Sequence, residues 1–226
     1  MKLNKIINIT GTIQLITGLH IGAGKDNIEI GGLDLPIMKQ PNTKAPYIPG
    51  SSLKGKMRSL LEVTQLGLGQ YKPRINEKGE PCGCGDDNCL ICTIFGVHKA
   101  SQEKAKVTRL LVRDSLLNDD FMEKHKNGNL PMEIKYENTI NRVKGIADNP
   151  RPVERVPAGT EFTFNIALKI YENDREEDFI RVIKTGLKLL ELDAIGGHSS
   201  RGSGQIKFKD LVCDNSDFTL PATLDF

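Results

Sequence analysis

Four cysteines fall within eleven residues in the pattern Cys82-x-Cys84-x4-Cys89-x2-Cys92, with Gly83 and Gly85 beside them. Thiolates at this spacing can close the tetrahedral shell of a zinc ion, and a closed shell leaves no open position for catalysis. The chemistry expected here is therefore structural, with His98 an available substitute for one sulfur. Reduced thiols in a loop are the competing reading, and no thioredoxin-like context surrounds Cys89 and Cys92 to support a redox pair. Cys213 stands apart and is expected to be a packed thiol.

A second candidate is Ile48-Pro-Gly-Ser-Ser-Leu-Lys-Gly-Lys-Met-Arg58. Pro49-Gly50 breaks the chain and a serine, Ser51 or Ser52, can cap the helix that follows. Lys54, Lys56 and Arg58 then sit near the positive end of a helix dipole, where cations are mildly destabilising unless an anion joins them. A phosphate on the N–H groups of residues 51 to 54 would satisfy both the orphan donors and the charge. A solvated basic face is the plainer alternative. Gly50 to Lys56 also spells the skeleton of a nucleotide-binding loop, but Met57 stands where Ser or Thr must bind magnesium, and no buried strand precedes it.

Two glycine-rich stretches could approach a ligand with bare backbone. Thr17 to Gly24 carries His20, and Gly196 to Gly204 carries Gly197, Arg201 and Gly202, whose guanidinium is a fork for phosphate. Alone, a glycine-serine stretch reads as a flexible surface loop. An extended excursion from Met132 to Arg155 adds Lys135, Arg142, Lys144, Arg151 and Arg155. Together these segments could line a tract that follows a sugar-phosphate chain.

The elements that must position these groups are legible in the apolar periods. Ile7 to Leu15 and Phe162 to Ile170 alternate with the two-residue period of half-buried strands. Residues 107–113 and 203–212 read as further strands. Helices are expected over 52–65 and from a cap at Asn173 or Asp174 to about Leu192. Residues 118–130 read as polar and irregular. The order strand, helix, strand, strand, helix, strand is that of an α+β, modified ferredoxin-like (RNA-recognition-like) domain. One domain over 1–226 is expected, with a cysteine-rich, zinc-binding insertion at 66–105 and a protruding thumb hairpin at 131–160. A net charge of +2 confines any nucleic-acid affinity to local clusters. No run approaches the roughly 18 apolar residues of a membrane span, and the start lacks a signal-peptide core, so a cytoplasmic protein is expected.

Several segments in order resemble a known family. Thr17-Gly-Leu-His-Ile-Gly, Gly32-Leu-Asp-Leu-Pro, the stretch 48–58, Glu137-Asn-Thr-Ile-Asn-Arg, Asn149-Pro-Arg, Glu154-Arg and Leu189-Leu-Glu-Leu-Asp through Arg201-Gly-x-Gly are similar to those of the backbone subunit of type III-A CRISPR effector complexes, in the RAMP superfamily. The resemblance implies a subunit of an antiviral ribonucleoprotein that polymerises along a CRISPR RNA. It also implies metal-dependent cleavage of the paired target RNA at each interruption made by the thumb. Implied partners are further copies of the chain, a large polymerase-like subunit, a small subunit and guide-end-capping RAMP subunits, with no membrane. Carried over by position, the catalytic residue is Asp34, holding Mg²⁺ or another divalent ion or aligning the ribose 2′-OH. His20, Lys54, Arg58, Arg142 and Arg201 match positions at or near the guide. No histidine pair of the kind used by acid–base ribonucleases is visible in the sequence. A scaffold with the same RNA grip but no cutting, and a guide-processing ribonuclease acting alone, are the rival readings.

Overall fold

The central strand is β1, Leu3–Leu15, whose Ile7, Ile9, Ile13 and Leu15 are buried on one face while their neighbours stay more open. A computed structural model describes residues 2–24, 35–70, 73–75, 77–100 and 105–225. Along nearly its full length β1 pairs antiparallel with β7, Glu161–Tyr171, and its second edge takes β8, Ile206–Cys213. Adding β3, Leu110–Val112, and β9, Ser216–Asp217, completes a five-stranded antiparallel sheet of order β3-β7-β1-β8-β9. A short pair, β2 (Tyr47–Ile48) with β4 (Ser115–Leu116), and a hairpin, β5 (Glu133–Ile140) with β6 (Ala147–Arg155), stand outside it.

Two helices, α1 (Gly50–Thr64) and α4 (Glu176–Leu192), pack together and supply Leu53, Met57, Leu61, Val182, Ile183, Leu187 and Leu190 to the core. Their start signals differ from those expected. No serine caps α1; Pro49 holds the N-cap position, its carbonyl accepts from the N–H of Ser52 and Leu53, and Asp114 Oδ1 accepts from Gly50 N at 2.8 Å. A carboxylate from a distant strand end thus does the work assigned to a local hydroxyl. At α4 the cap position is Arg175, because Asp174 is committed elsewhere: it accepts from Tyr171 N and forms a buried two-pronged pair with Arg109 at 2.8 and 2.9 Å.

Residues 118–130 are not irregular throughout. They contain α3, Asp119–Lys126, in which the Asn118 side chain accepts from Phe121 N and acids open the helix while Lys124, His125 and Lys126 close it. Capping and dipole-matched charge support this helix; it buries no residue, so no apolar period announced it.

Within the stretch 66–105 lies α2, Leu90–Phe95, all six residues of which are buried against α1 and α4. This helix is part of the core. Among the described residues no helix is long and apolar enough to cross a membrane.

Candidate functional site

The two glycine-rich loops lie against each other, joined by backbone. Gly204 N donates to Gly18 O at 3.0 Å and Gly197 N to His20 O at 2.8 Å. Gly196 and Gly204 have φ of +74° and +84°, and a Cβ on either would collide with the carbonyl oxygen of His20 or Ile195, so close contact requires glycine at both. The base of the β5–β6 hairpin closes on the same surface. Leu19 and Val156 exchange backbone hydrogen bonds, Arg155 donates to Ser203 Oγ at 3.1 Å, and Lys135 Nζ donates to Arg201 O at 2.5 Å. Beside them is a depression of about 420 Å³ lined by Thr17, Asp193, Ser199, Ser200, Gly202 and Gln205.

Folding brings two histidines from separate loops into contact. His20 and His198 meet edge to face with centroids 5.1 Å apart. His20 is 5% exposed and its Nδ1 donates to the Glu154 carbonyl at 2.8 Å, which fixes the protonated nitrogen and makes the ring a structural pin. Glu154 is equally buried and binds the segment after residue 34 with every polar group it has left. Its N–H donates to Leu35 O, while its carboxylate accepts from Ile37 N at 2.9 Å and Lys39 Nζ at 2.6 Å. Asp34 itself lies outside the described residues.

Glu137 on β5 accepts from Arg201 at 2.6 Å and from His198 Nδ1 at 3.0 Å, both on Oε2, while its buried Oε1 has no partner among the described residues. Burial opposes its ionisation, but the hydrogen bonds from Arg201 and His198 outweigh that and hold its carboxyl below the usual glutamate range. A depressed carboxylate stabilises above its unfolded pKa and loses that contribution as pH falls through its folded value. Protection of the amides of residues 196–204, measured relative to their intrinsic exchange rates, should therefore fall as pH drops below the ordinary glutamate range of about 4.3 in the wild type, and Glu137→Gln should remove most of that pH dependence. An unchanged profile in the variant would show that Glu137 does not dock the loop.

The remaining basic residues divide into exposed and committed groups. Arg142 and Arg151 are exposed on the hairpin, and Arg201, although paired, keeps 60% of its side chain open. Ser51 is exposed and Ser52 half-buried on α1, with Lys56 paired to Asp193 at 2.7 Å beside the glycine loop. Lys54 donates to Leu110 O, and burial followed by repulsion from Arg58 lowers its pKa. Arg58 is turned inward onto Glu62 and Cys82, and Arg155 is 8% exposed and paired with Glu133. Arg58 and Arg155 therefore hold segments together.

The sulfurs of Cys82, Cys84, Cys89 and Cys92 lie within 4.8 Å of one another, and this group excludes His98. Separations of 3.7, 3.8 and 4.0 Å bracket the edge of about 3.8 Å that a tetrahedron of roughly 2.3 Å metal–sulfur bonds requires. Cys89 caps α2 and its sulfur accepts from Cys92 N, while Cys82 Sγ accepts from Arg74 N at 3.2 Å. Hydrogen bonding from Cys89 draws the Cys92 thiol below the ordinary thiol range, against the opposing effect of burial.

Residues 12–207 match the RAMP superfamily model. The chain is 43% identical over 225 residues to the CRISPR system Cms endoribonuclease Csm3 of Methanothermobacter thermautotrophicus, spanning 93% of this chain and 86% of the relative. It is 40% identical over 208 residues to the protein of that description from Streptococcus thermophilus, spanning 91% and 88%. Among solved structures, a Csm3–Csm4 subcomplex of the type III-A CRISPR-Cas interference complex aligns with TM-score 0.59 at 31% identity, over 94% of this chain and 80% of that one. Methanopyrus kandleri Csm3, at 24% identity and TM-score 0.61 over 93% and 78%, shares the fold. With the superfamily model spanning most of its length and relatives at 40–43% identity covering more than nine-tenths of it, the chain belongs to the RAMP superfamily, in the family of the Csm3 CRISPR endoribonucleases.

Proposed function

We propose that the chain is the repeated backbone subunit of a type III-A CRISPR complex, gripping the guide RNA and cutting complementary target RNA at regular intervals. The observation that carries this reading is the meeting of loop 18–24, loop 196–204 and the hairpin base on one surface. Bare backbone from the two loops can approach a ribose-phosphate chain closely, with Arg201, Lys54 and Lys56 as neutralising charge and Ser51, Ser52, Gly197 and Gly202 as positioning groups. Two polar atoms sealed from solvent beneath this surface, Glu137 Oε1 and Arg155 Nε, have no protein partner among the described residues.

The hairpin is the proposed thumb. Tyr136 at 64% exposed and Val143 at 95%, with Ile134, Ile140 and Ile146 about half-exposed, give it an apolar blade flanked by Arg142 and Arg151. Apolar wedges of this kind unstack nucleic-acid bases, and a base pair displaced at each copy accounts for regular spacing of cuts. The strand order β3-β7-β1-β8, with α1 and α4 as the crossovers, supports the modified ferredoxin-like reading. The cysteine cluster is proposed to hold a structural zinc ion within the 66–105 insertion.

For cleavage, Asp34 is the proposed catalytic residue, and a divalent ion such as Mg²⁺ would supply charge stabilisation at the scissile phosphate. The chain's part is positioning: the thumb splays the strand so that the 2′-oxygen attacks phosphorus in line as the bond to the 5′-oxygen breaks. The 2′-OH loses its proton and the leaving oxygen gains one, giving a cyclic phosphate and a free 5′-OH. The proposed partners are the guide, its target, further copies and the other type III-A subunits, acting in the cytoplasm. The test is complementary RNA added to the reconstituted, guide-loaded complex: evenly spaced products with 5′-OH ends are expected, and bound but intact RNA would favour the scaffold reading.

A further inference from the structure

The Arg58–Glu62 pair sits where a helix meets the cysteine cluster. Both side chains lie on α1, one turn apart, and both are largely buried, at 15% and 5% exposed. Arg58 Nε donates to Glu62 Oε1 at 2.9 Å, and the same oxygen accepts from Cys82 N at 2.9 Å. The second arm of the guanidinium donates to Cys82 O at 2.7 Å. Both polar groups of the Cys82 backbone are therefore held by one ion pair, and Cys82 carries one of the four sulfurs.

We propose that Arg58 and Glu62 form an outer clamp for the metal centre, fixing the Cys82 peptide on α1 and slowing loss of the bound ion. This inference rests on the reading of the four sulfurs as a metal site. A ligand whose backbone is fixed at both N–H and C=O presents its sulfur in one place, so ordering the shell costs less when the ion binds. Groups that orient metal ligands typically govern affinity by 10–100-fold. Lysine could not replace this arginine, because a single ammonium lacks the rigid fork that reaches carboxylate and carbonyl together.

The assay is metal content and release to a chromogenic chelator, measured on zinc-loaded full-length protein with circular dichroism recorded alongside. Glu62→Gln and Arg58→Met should each retain a folded spectrum and release zinc about tenfold faster or more. An Arg58→Met/Glu62→Leu double variant replaces the pair with apolar groups of similar volume, so packing survives where a lone buried charge would not. It too should release zinc rapidly. Lys5→Met, which breaks the exposed pair with Glu176, serves as a control and should release at the wild-type rate. Stoichiometric zinc in wild type with unchanged release in all Arg58 and Glu62 variants would overturn the clamp and leave the metal site standing. No zinc retained by reduced wild-type protein would overturn both. A lower salt dependence of RNA binding in Arg58→Met, with normal zinc release, would return Arg58 to the RNA surface and overturn the clamp.

Discussion

Replacing Asp34 with alanine is expected to leave complementary RNA bound to the guide-loaded complex and uncut. Affinity should survive because it comes from guide–target pairing and from phosphate contacts spread over several cationic side chains, none of which is Asp34. Cleavage should fall by roughly 10²-fold or more, the scale on which correctly placed catalytic groups act. Asp34→Asn sharpens the result, since it keeps size and removes charge: a loss as deep as with alanine shows that the carboxylate's charge is required. The structure adds a reason why so small a change should matter. Glu154 pins the backbone of Leu35 and Ile37 to the hairpin base, with His20 of the glycine loop on its own carbonyl. The chain following Asp34 is thus anchored where the hairpin base and the glycine-rich loops meet, and only the acidic group is lost. Products at the same positions and wild-type rate from the alanine complex would remove Asp34 from the mechanism.

Legibility in the sequence followed the range of the interactions. β1 and β7 were readable because alternation such as Ile7, Ile9, Ile13 reports burial on one face through neighbours two residues apart. The cysteine cluster was readable for a similar reason, its ligands lying close along the chain. Contacts that join distant positions were not. Gly50 is capped by Asp114, His20 meets His198, and Glu137 on the hairpin holds Arg201 on the loop, each across more than sixty residues. Arg58 illustrates the same limit from the other side. Its place in a basic helix start suggested a free cation, whereas Glu62 one turn later and Cys82 beyond the helix draw it inward. The i,i+4 spacing to Glu62 was the available signal, and it is the geometry of an intrahelical ion pair. α3 carries no apolar period, and its signal lies in the capping sequence Asn118-Asp119-Asp120, a recognisable helix start.

A Cys89→Ser/Cys92→Ser variant should lose its metal and a large part of its thermal stability while leaving the positions of RNA cuts unchanged in protein that remains folded. Two of the four ligands go, and with them the means of closing a tetrahedral shell. The consequence reaches the core because Cys89 caps α2, Cys92 lies within it, and that helix is buried between α1 and α4. Metal binding of this kind contributes directly to folding, with apparent energies of about 10–16 kcal/mol in small zinc domains. Should only about 4 kcal/mol of that be lost here, the melting temperature of a domain this size would fall by about 8–16 °C. Four sulfurs leave no coordination position for substrate, which separates this centre from the ion proposed at Asp34. Stability should therefore follow the cysteines while cut positions follow the guide and the proposed thumb. Wild-type melting in a variant shown to be metal-free would establish that thiols alone pack the insertion, and altered cut spacing would place the cluster nearer the RNA than its closed shell implies.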